Sequence, residues 1–214
     1  MLKNQKKIKY LVASNSIYYL KTLPVIIKSL RNCGVLDNEI IIVICKCNEV
    51  IQYQNIETYC VPYNAYEYSA LIHLSEIEYR GSEYVFLLHD TMSCGSNFKN
   101  LSQKIVSGHK VILAHEKRWT NMGAYQTNHL ICIKEKLRDI KSISKLQGIR
   151  IEGYFFDCVP SFYPNATSFN ITRKMDVYGT GFQRIVDYYK SVDVTKYGAN
   201  GPKELENKQF FYEP

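Results

Sequence analysis

No apolar run in the chain approaches the roughly 18 to 20 residues that cross a bilayer, and the Lys-rich opening from Met1 to Tyr10 leads into no signal-peptide core. Both absences disfavour a membrane-embedded or exported protein, and the expectation is work in the cytoplasm. There is no CxxC pair either. The seven cysteines, Cys33, Cys45, Cys47, Cys60, Cys94, Cys132 and Cys158, are odd in number and scattered, so they read as reduced thiols in or near a core. No G-x-G-x-x-G follows the first strand pattern, which counts against a dinucleotide oxidoreductase, and no G-x-S-x-G elbow supports a hydrolase. His115-Glu116 lacks the second histidine of HExxH, and Cys45-Lys46-Cys47 has no partner ligands at zinc spacing. The net charge of +7 attracts phosphates, nucleic acids and acidic membranes alike. Its lysines are spread along the chain, however, with no RNP-type, helix-turn-helix or zinc-finger pattern, which points away from nucleic acid. Internal repeats and low-complexity linkers are also missing.

What is present suits one globular domain. A chain of 214 residues with a hydrophobic fraction of 46% and a charged fraction of 22% has enough apolar surface for one sizeable core. Its first half alternates β-type runs with helical spacing, the signature of βαβ units around a mostly parallel sheet. The expected strands are Ile8 to Ala13, Glu39 to Cys45, Ile56 to Val61, Tyr84 to Leu88, Val111 to Ala114 and Tyr125 to Ile133. The expected helices are Thr22 to Arg31, stopped by Gly34, then Glu67 to Glu78, a short one through Phe98, Leu101 and Ile105, and Lys134 to Ser144. Beyond these the chain is less regular and rich in Tyr, Phe, Gly and Asn.

In an open α/β sheet the ligand lies outside the carboxyl ends of the strands, so polar residues that interrupt apolar runs are the first candidates. Ala13-Ser14-Asn15 follows the first strand, and His89-Asp90-Thr91 follows the run YVFLL and breaks it. A carboxylate at Asp90 could hold Mg²⁺ or Mn²⁺ against a diphosphate, or it could cap a turn. His89 could be a second ligand or a hydrogen-bonding neighbour of the phosphates. Tyr66 and Tyr68 read as pocket wall or as a helix face packed on the sheet. Gly123 permits a close backbone approach or simply makes a turn. Gly179-Thr180-Gly181 followed by Arg184 could close over phosphates, and Lys196-Tyr197-Gly198 is a second clamp or a solvated surface lysine. Asp157, after an aromatic run, and Glu152 are the candidates for a general base.

The order of a short strand with a polar turn, a helix, an all-apolar strand, and four apolar residues running into a polar triplet resembles the GT-A nucleotide-sugar glycosyltransferases. That resemblance covers Lys9 to Ile133. It implies a GT-A-type, mostly parallel mixed sheet flanked by helices in a single domain, with residues 1–115 as a nucleotide-binding half and 116–214 as an acceptor-side half. Family members carry Asp-X-Asp where this chain has His89-Asp90-Thr91, so both outer acids are replaced and only Asp90 keeps a carboxylate for Mn²⁺ or Mg²⁺. By position, Ala13, Ser14 and Asn15 correspond to the loop that holds base and ribose, Tyr66 borders the donor pocket, and Gly123 shapes the sugar side. The implied reaction moves a sugar from a nucleotide-sugar donor, UDP-sugar first, to a saccharide acceptor. The chain is most similar to soluble polysaccharide-building transferases of bacteria and large DNA viruses, which would place it in host cytoplasm in the viral case and leaves room for further domains of a longer polypeptide. A nucleotide-sugar- or glycan-binding module without turnover is the alternative, and a basic nucleic-acid-associated protein the second.

Overall fold

The computed structural model describes residues 7–106, 109–113, 122–142, 171–177 and 183–199. The first β-type run becomes β1 (Ile8–Asn15), followed by α1 (Tyr19–Asn32), β2 (Ile40–Cys45), β3 (Glu57–Val61), α2 (Tyr68–Glu76) and β4 (Tyr84–His89). Next come β5 (Met92–Cys94), α3 (Phe98–Ile105), β6 (Val111–Leu113), β7 (Gly123–Gln126), α4 (Thr127–Cys132) and α5 (Lys134–Arg138). The last described elements are β8 (Ile171–Val177), β9 (Gln183–Tyr189) and β10 (Val194–Ala199).

Six strands form one sheet in the order β3-β2-β1-β4-β7-β6. The pairs β2/β3, β1/β2 and β1/β4 are parallel, while β4/β7 and β6/β7 are antiparallel. The expected mixed, mostly parallel α/β sheet is therefore the architecture found. Every residue of β2, IIIVIC, is buried, as a parallel strand covered on both faces must be. On one face Tyr10, Phe86 and Phe98 pack with ring centroids 5.3 to 6.4 Å apart beneath α1 and α3. On the other, Leu11, Val43, Val85 and Leu87 meet Leu71 and Ile72 of α2.

Two local features shape α1. It begins a turn before the expected Thr22, because the Asn15 side-chain carbonyl accepts the N–H groups of Ile17 and Tyr18 at 3.0 and 3.2 Å and turns the chain into the helix. Pro24 consequently sits in the second turn, where it has no N–H to offer the carbonyl of Leu20, a residue exposed to water. The helix stops at Gly34, whose φ of +87° favours glycine.

The strand expected over Tyr125 to Ile133 is corrected: only Tyr125 and Gln126 are extended, and Thr127–Cys132 is helical. Thr127 turns the chain by giving its N–H to the Glu83 carbonyl and its hydroxyl to the Ser82 carbonyl. Leu130, Ile133, Leu137 and Ile140 then line one stripe packed into the core beside α2. The β-branched composition of the segment masked that helical spacing. The following helix is also shorter than expected, ending at Arg138.

A second, antiparallel sheet has the order β5-β10-β9-β8. Its hairpin places Tyr189, Val192 and Val194 in the core layer beneath α1 and α3. Asp193, at φ +57°, anchors it: one carboxylate oxygen accepts the Asn97 N–H at 2.9 Å, the other the Tyr188 hydroxyl at 3.0 Å, and the Asp193 carbonyl accepts the Gly95 N–H at 2.7 Å. A Cβ at Gly95 would run into that carboxylate.

Two predictions follow from this packing. Asp193→Ala should lower unfolding stability by about 1 to 3 kcal/mol in urea denaturation. Asp193→Asn, which tolerates positive φ and keeps an acceptor, should recover much of the loss; equal losses would show that the anchor is unimportant. Burial holds the half-buried His73 ring, packed at a tilt against Tyr59, below the usual histidine pKa of 6.5. A lowered folded pKa means that the unfolded chain binds more protons, so His73 costs stability as pH falls below 6.5. His73→Phe should flatten that slope, measured as urea midpoints between about pH 7 and 5; His129, also held low by burial, keeps a residual slope.

Candidate functional site

Strand order reverses between β1 and β4, since β2 and β3 extend the sheet on one side and β7 and β6 on the other. Such a switch point opens a crevice at the carboxyl ends of the two strands. Ser14 and Asp90 meet there. The Ser14 hydroxyl donates to Asp90 Oδ2 at 2.7 Å, the Thr22 hydroxyl of α1 donates to the same oxygen at 2.7 Å, and the Asp90 N–H bonds the Ala13 carbonyl at 3.0 Å. All three side chains are buried, with 4%, 0% and 6% of Ser14, Thr22 and Asp90 exposed. Thr22 escaped the sequence reading because it lies inside a helix, where Thr carries no motif.

The rest of the crevice edge is stitched across three strand ends. Ser16 donates its N–H to the Cys45 carbonyl at 2.9 Å and its hydroxyl to the Lys46 carbonyl at 2.7 Å. Lys46 and Tyr66, both non-glycine residues at φ +53°, follow β2 and precede α2. The Lys46 N–H bonds the Tyr63 carbonyl at 3.1 Å. Tyr66 is partly exposed, whereas Tyr68 is fully buried and belongs to the core. Lys46, which sequence inspection examined only as part of a failed zinc pattern, is thus an exposed cation at the strand ends. Gly123 begins β7 and pairs with Leu87 and Leu113, so it is a strand residue beside the end of β4 and not a turn.

The second sheet closes on this edge through β5. The Tyr197 N–H bonds the Thr91 carbonyl at 3.0 Å, and Lys196 pairs with Met92. Lys196 therefore stands across from the residues that follow Asp90. Arg184 lies on β9 opposite Ala199, two positions beyond Tyr197 along β10. Asp157, Glu152 and the Gly179-Thr180-Gly181 segment lie outside the described residues.

The donor set fits a divalent cation poorly. Among the described residues no group of three His, Cys, Asp or Glu side chains is arranged to hold a metal. Asp90 already accepts two hydroxyls on one oxygen and is nearly buried. Along β4, Val85 and Leu87 face the α2 layer and Phe86 and Leu88 the α1 layer, so the period-two alternation sends His89 toward α2. Asp90 turns the other way, to α1, and the pair does not converge on one ion.

The electrostatics add a negative result. Burial pushes the Cys45 thiol up to about 11, opposed by a hydrogen bond with Ser69 and assisted by the negative charge of Asp90. At neutral pH it is a thiol, not a nucleophilic thiolate.

No family model and no curated protein matches the chain by sequence. Solved structures do match. The 4-diphosphocytidyl-2C-methyl-D-erythritol synthase of Anaerococcus prevotii superposes with a TM-score of 0.51 at 14% identity, covering 74% of this chain and 89% of that one. The glycosyltransferase GlyE of Streptococcus pneumoniae superposes with a TM-score of 0.50 at 12% identity, covering 74% of this chain. The chain spans 45% of GlyE's length. At these identities the likeness is one of fold, and the fold is GT-A-like.

Iodoacetamide at neutral pH should label Cys132, the exposed thiol among the described residues, well before Cys45 and Cys94, whose thiols burial holds protonated. Peptide mass mapping reads the order, and early labelling of Cys45 would contradict the closed strand end.

Proposed function

We propose that this chain binds a nucleoside-diphosphate sugar, UDP-sugar first, at the β1/β4 crevice and transfers the sugar to a hydroxyl of a saccharide acceptor. The observation that carries the reading is the polar seam of Ser14, Asn15 and Asp90 at the point where strand order reverses in a GT-A-like sheet. The second sheet, joined to this edge through β5, pairs Lys196 with Met92, two residues after Asp90. In the transfer, the acceptor oxygen bonds the anomeric carbon as the bond from that carbon to the diphosphate oxygen breaks. The acceptor proton passes to a base, for which Asp157 is the candidate, and the nucleoside diphosphate leaves with the bonding pair.

Negative charge gathers on the departing diphosphate, so fixed cations near it lower the barrier more than any other local feature. Among the described residues, Lys46 and Lys196 are cations that the fold brings to this edge. The net charge of +7 draws the anionic donor in over a longer range. Asn15 and the turn it shapes supply the lip for base and ribose, with Tyr66 at the border of the same pocket and Gly123 on the sugar side.

One observation favours a second reading. The Asp90 carboxylate is engaged by two hydroxyls, and among the described residues no group of three His, Cys, Asp or Glu side chains gathers to hold a metal, as suits a pocket that binds a nucleotide sugar without turning it over.

A thermal-shift panel of UDP-, GDP-, CMP- and dTDP-sugars, with and without Mn²⁺, tests both. One nucleotide class should raise the unfolding temperature, and Lys46→Ala and Lys196→Ala should each weaken its binding by about three- to tenfold. Release of free nucleotide on adding glycan acceptors supports transfer, and a shift without release supports the binding module. Silence across the panel in a folded sample would sink both.

A further inference from the structure

Asp90 occupies the place where the resembled family holds its metal, yet its hydrogen bonds tie together three parts of the chain. Ser14 is the penultimate residue of β1, Thr22 lies in α1, and Asp90 follows β4. Between Ser14 and Thr22 the chain leaves β1 at Asn15 and turns through residues 16–18 into α1, and Ser16 pins this turn to Cys45 and Lys46. A buried carboxylate that accepts two hydroxyls at 2.7 Å is well satisfied. Turning the accepting oxygen outward to a cation would strand the Ser14 hydroxyl in a site from which water is nearly excluded and leave Thr22 its longer, 3.1 Å bond to the Tyr18 carbonyl.

We infer that Asp90 is a positioning residue: it acts through Ser14 and Thr22 to hold the 15–18 turn in its binding shape, and nucleotide binding at this crevice does not run through a divalent cation on Asp90. This rests on the donor-site reading above for its functional meaning, but the strut itself can be tested without a ligand. His89, directed to the opposite face, adds nothing to a cation beside Asp90. The cationic side chains at the edge take the place of the ion in balancing the diphosphate.

The two roles differ in what asparagine does. As a strut, Asp90→Asn keeps a carbonyl oxygen that both hydroxyls can reach, whereas Asp90→Ala keeps none. As a metal ligand, both variants fail alike, because a neutral amide is a poor ligand for Mn²⁺.

The experiment compares wild type, Asp90→Asn, Asp90→Ala, the Ser14→Ala/Thr22→Val double variant, and that double variant combined with Asp90→Ala. Three readouts are taken: thermal midpoint, bound Mn²⁺ by electron paramagnetic resonance with and without UDP, and UDP affinity in EDTA and in Mn²⁺. The strut predicts that Asp90→Ala lowers the midpoint and that adding it to the double variant costs little more, since the three side chains act as one unit. It also predicts that Asp90→Asn restores most of the midpoint, that no bound Mn²⁺ depends on Asp90, and that UDP affinity changes by less than about threefold between EDTA and Mn²⁺. Bound Mn²⁺ lost in both Asp90 variants would overturn the inference. So would an affinity gain of about tenfold or more with Mn²⁺ that Asp90→Asn abolishes, or an Asp90→Ala midpoint equal to wild type. Failure of UDP to bind wild type at all counts against the donor-site reading, while the midpoints and the Mn²⁺ spectra without nucleotide still decide the strut.

Discussion

A parallel strand covered on both faces has no room for an unpaired polar side chain, and that constraint governs where this protein can do chemistry. Along β1, β2 and β4 the interior positions are apolar on both sides, from Leu11 and Val12 to Ile42 and Val43 and on to Phe86 and Leu87. At their carboxyl ends the apolar runs give way to polar groups, at Ser14, Lys46 and Asp90. Because β1 and β4 point the same way and their neighbours diverge, these groups gather in one crevice. Burial then demands that each be satisfied, and Asp90 is satisfied by hydroxyls from the two elements that frame the crevice.

The second sheet depends on the first for its position and returns the favour by closing the site. Met92 and Cys94 of β5 sit in the core layer under α1, and the same strand pairs with β10, which ties the second sheet to the first. Asp193 locks the hairpin to the loop before α3. As a result Lys196 and Tyr197, about a hundred residues from Asp90 in sequence, come to lie beside Thr91. The Lys196-Tyr197-Gly198 run is visible in the sequence as a candidate clamp, but that it lies beside the residues following Asp90 is set by the pairing of β10 with β5.

Much of the fold was legible. IIIVIC and YVFLL could hardly be anything but buried strands, and the spacing of Leu23, Ile26, Ile27 and Leu30 with Gly34 beyond described α1 nearly to its ends. The errors have physical causes. Thr127 to Ile133 looked extended because Ile131 and Ile133 are β-branched, yet the bonds that turn it into a helix come from Ser82 and Glu83, in a distant loop. The three-residue strand β5 is too short to show a period and exists because β10 pairs with it.

The candidate site divides along the same line. By itself the sequence determined that this is an α/β chain, that its strands are buried, and that Ser14, Asn15 and Asp90 stand where apolar runs end, because burial and periodicity are local properties written in consecutive residues. Only the tertiary structure decided that Thr22 reaches Asp90 across 68 positions and that Lys196 joins the edge. Those meetings depend on strand order and on the seating of α1 against the sheet, and neither is encoded in any short stretch of the chain.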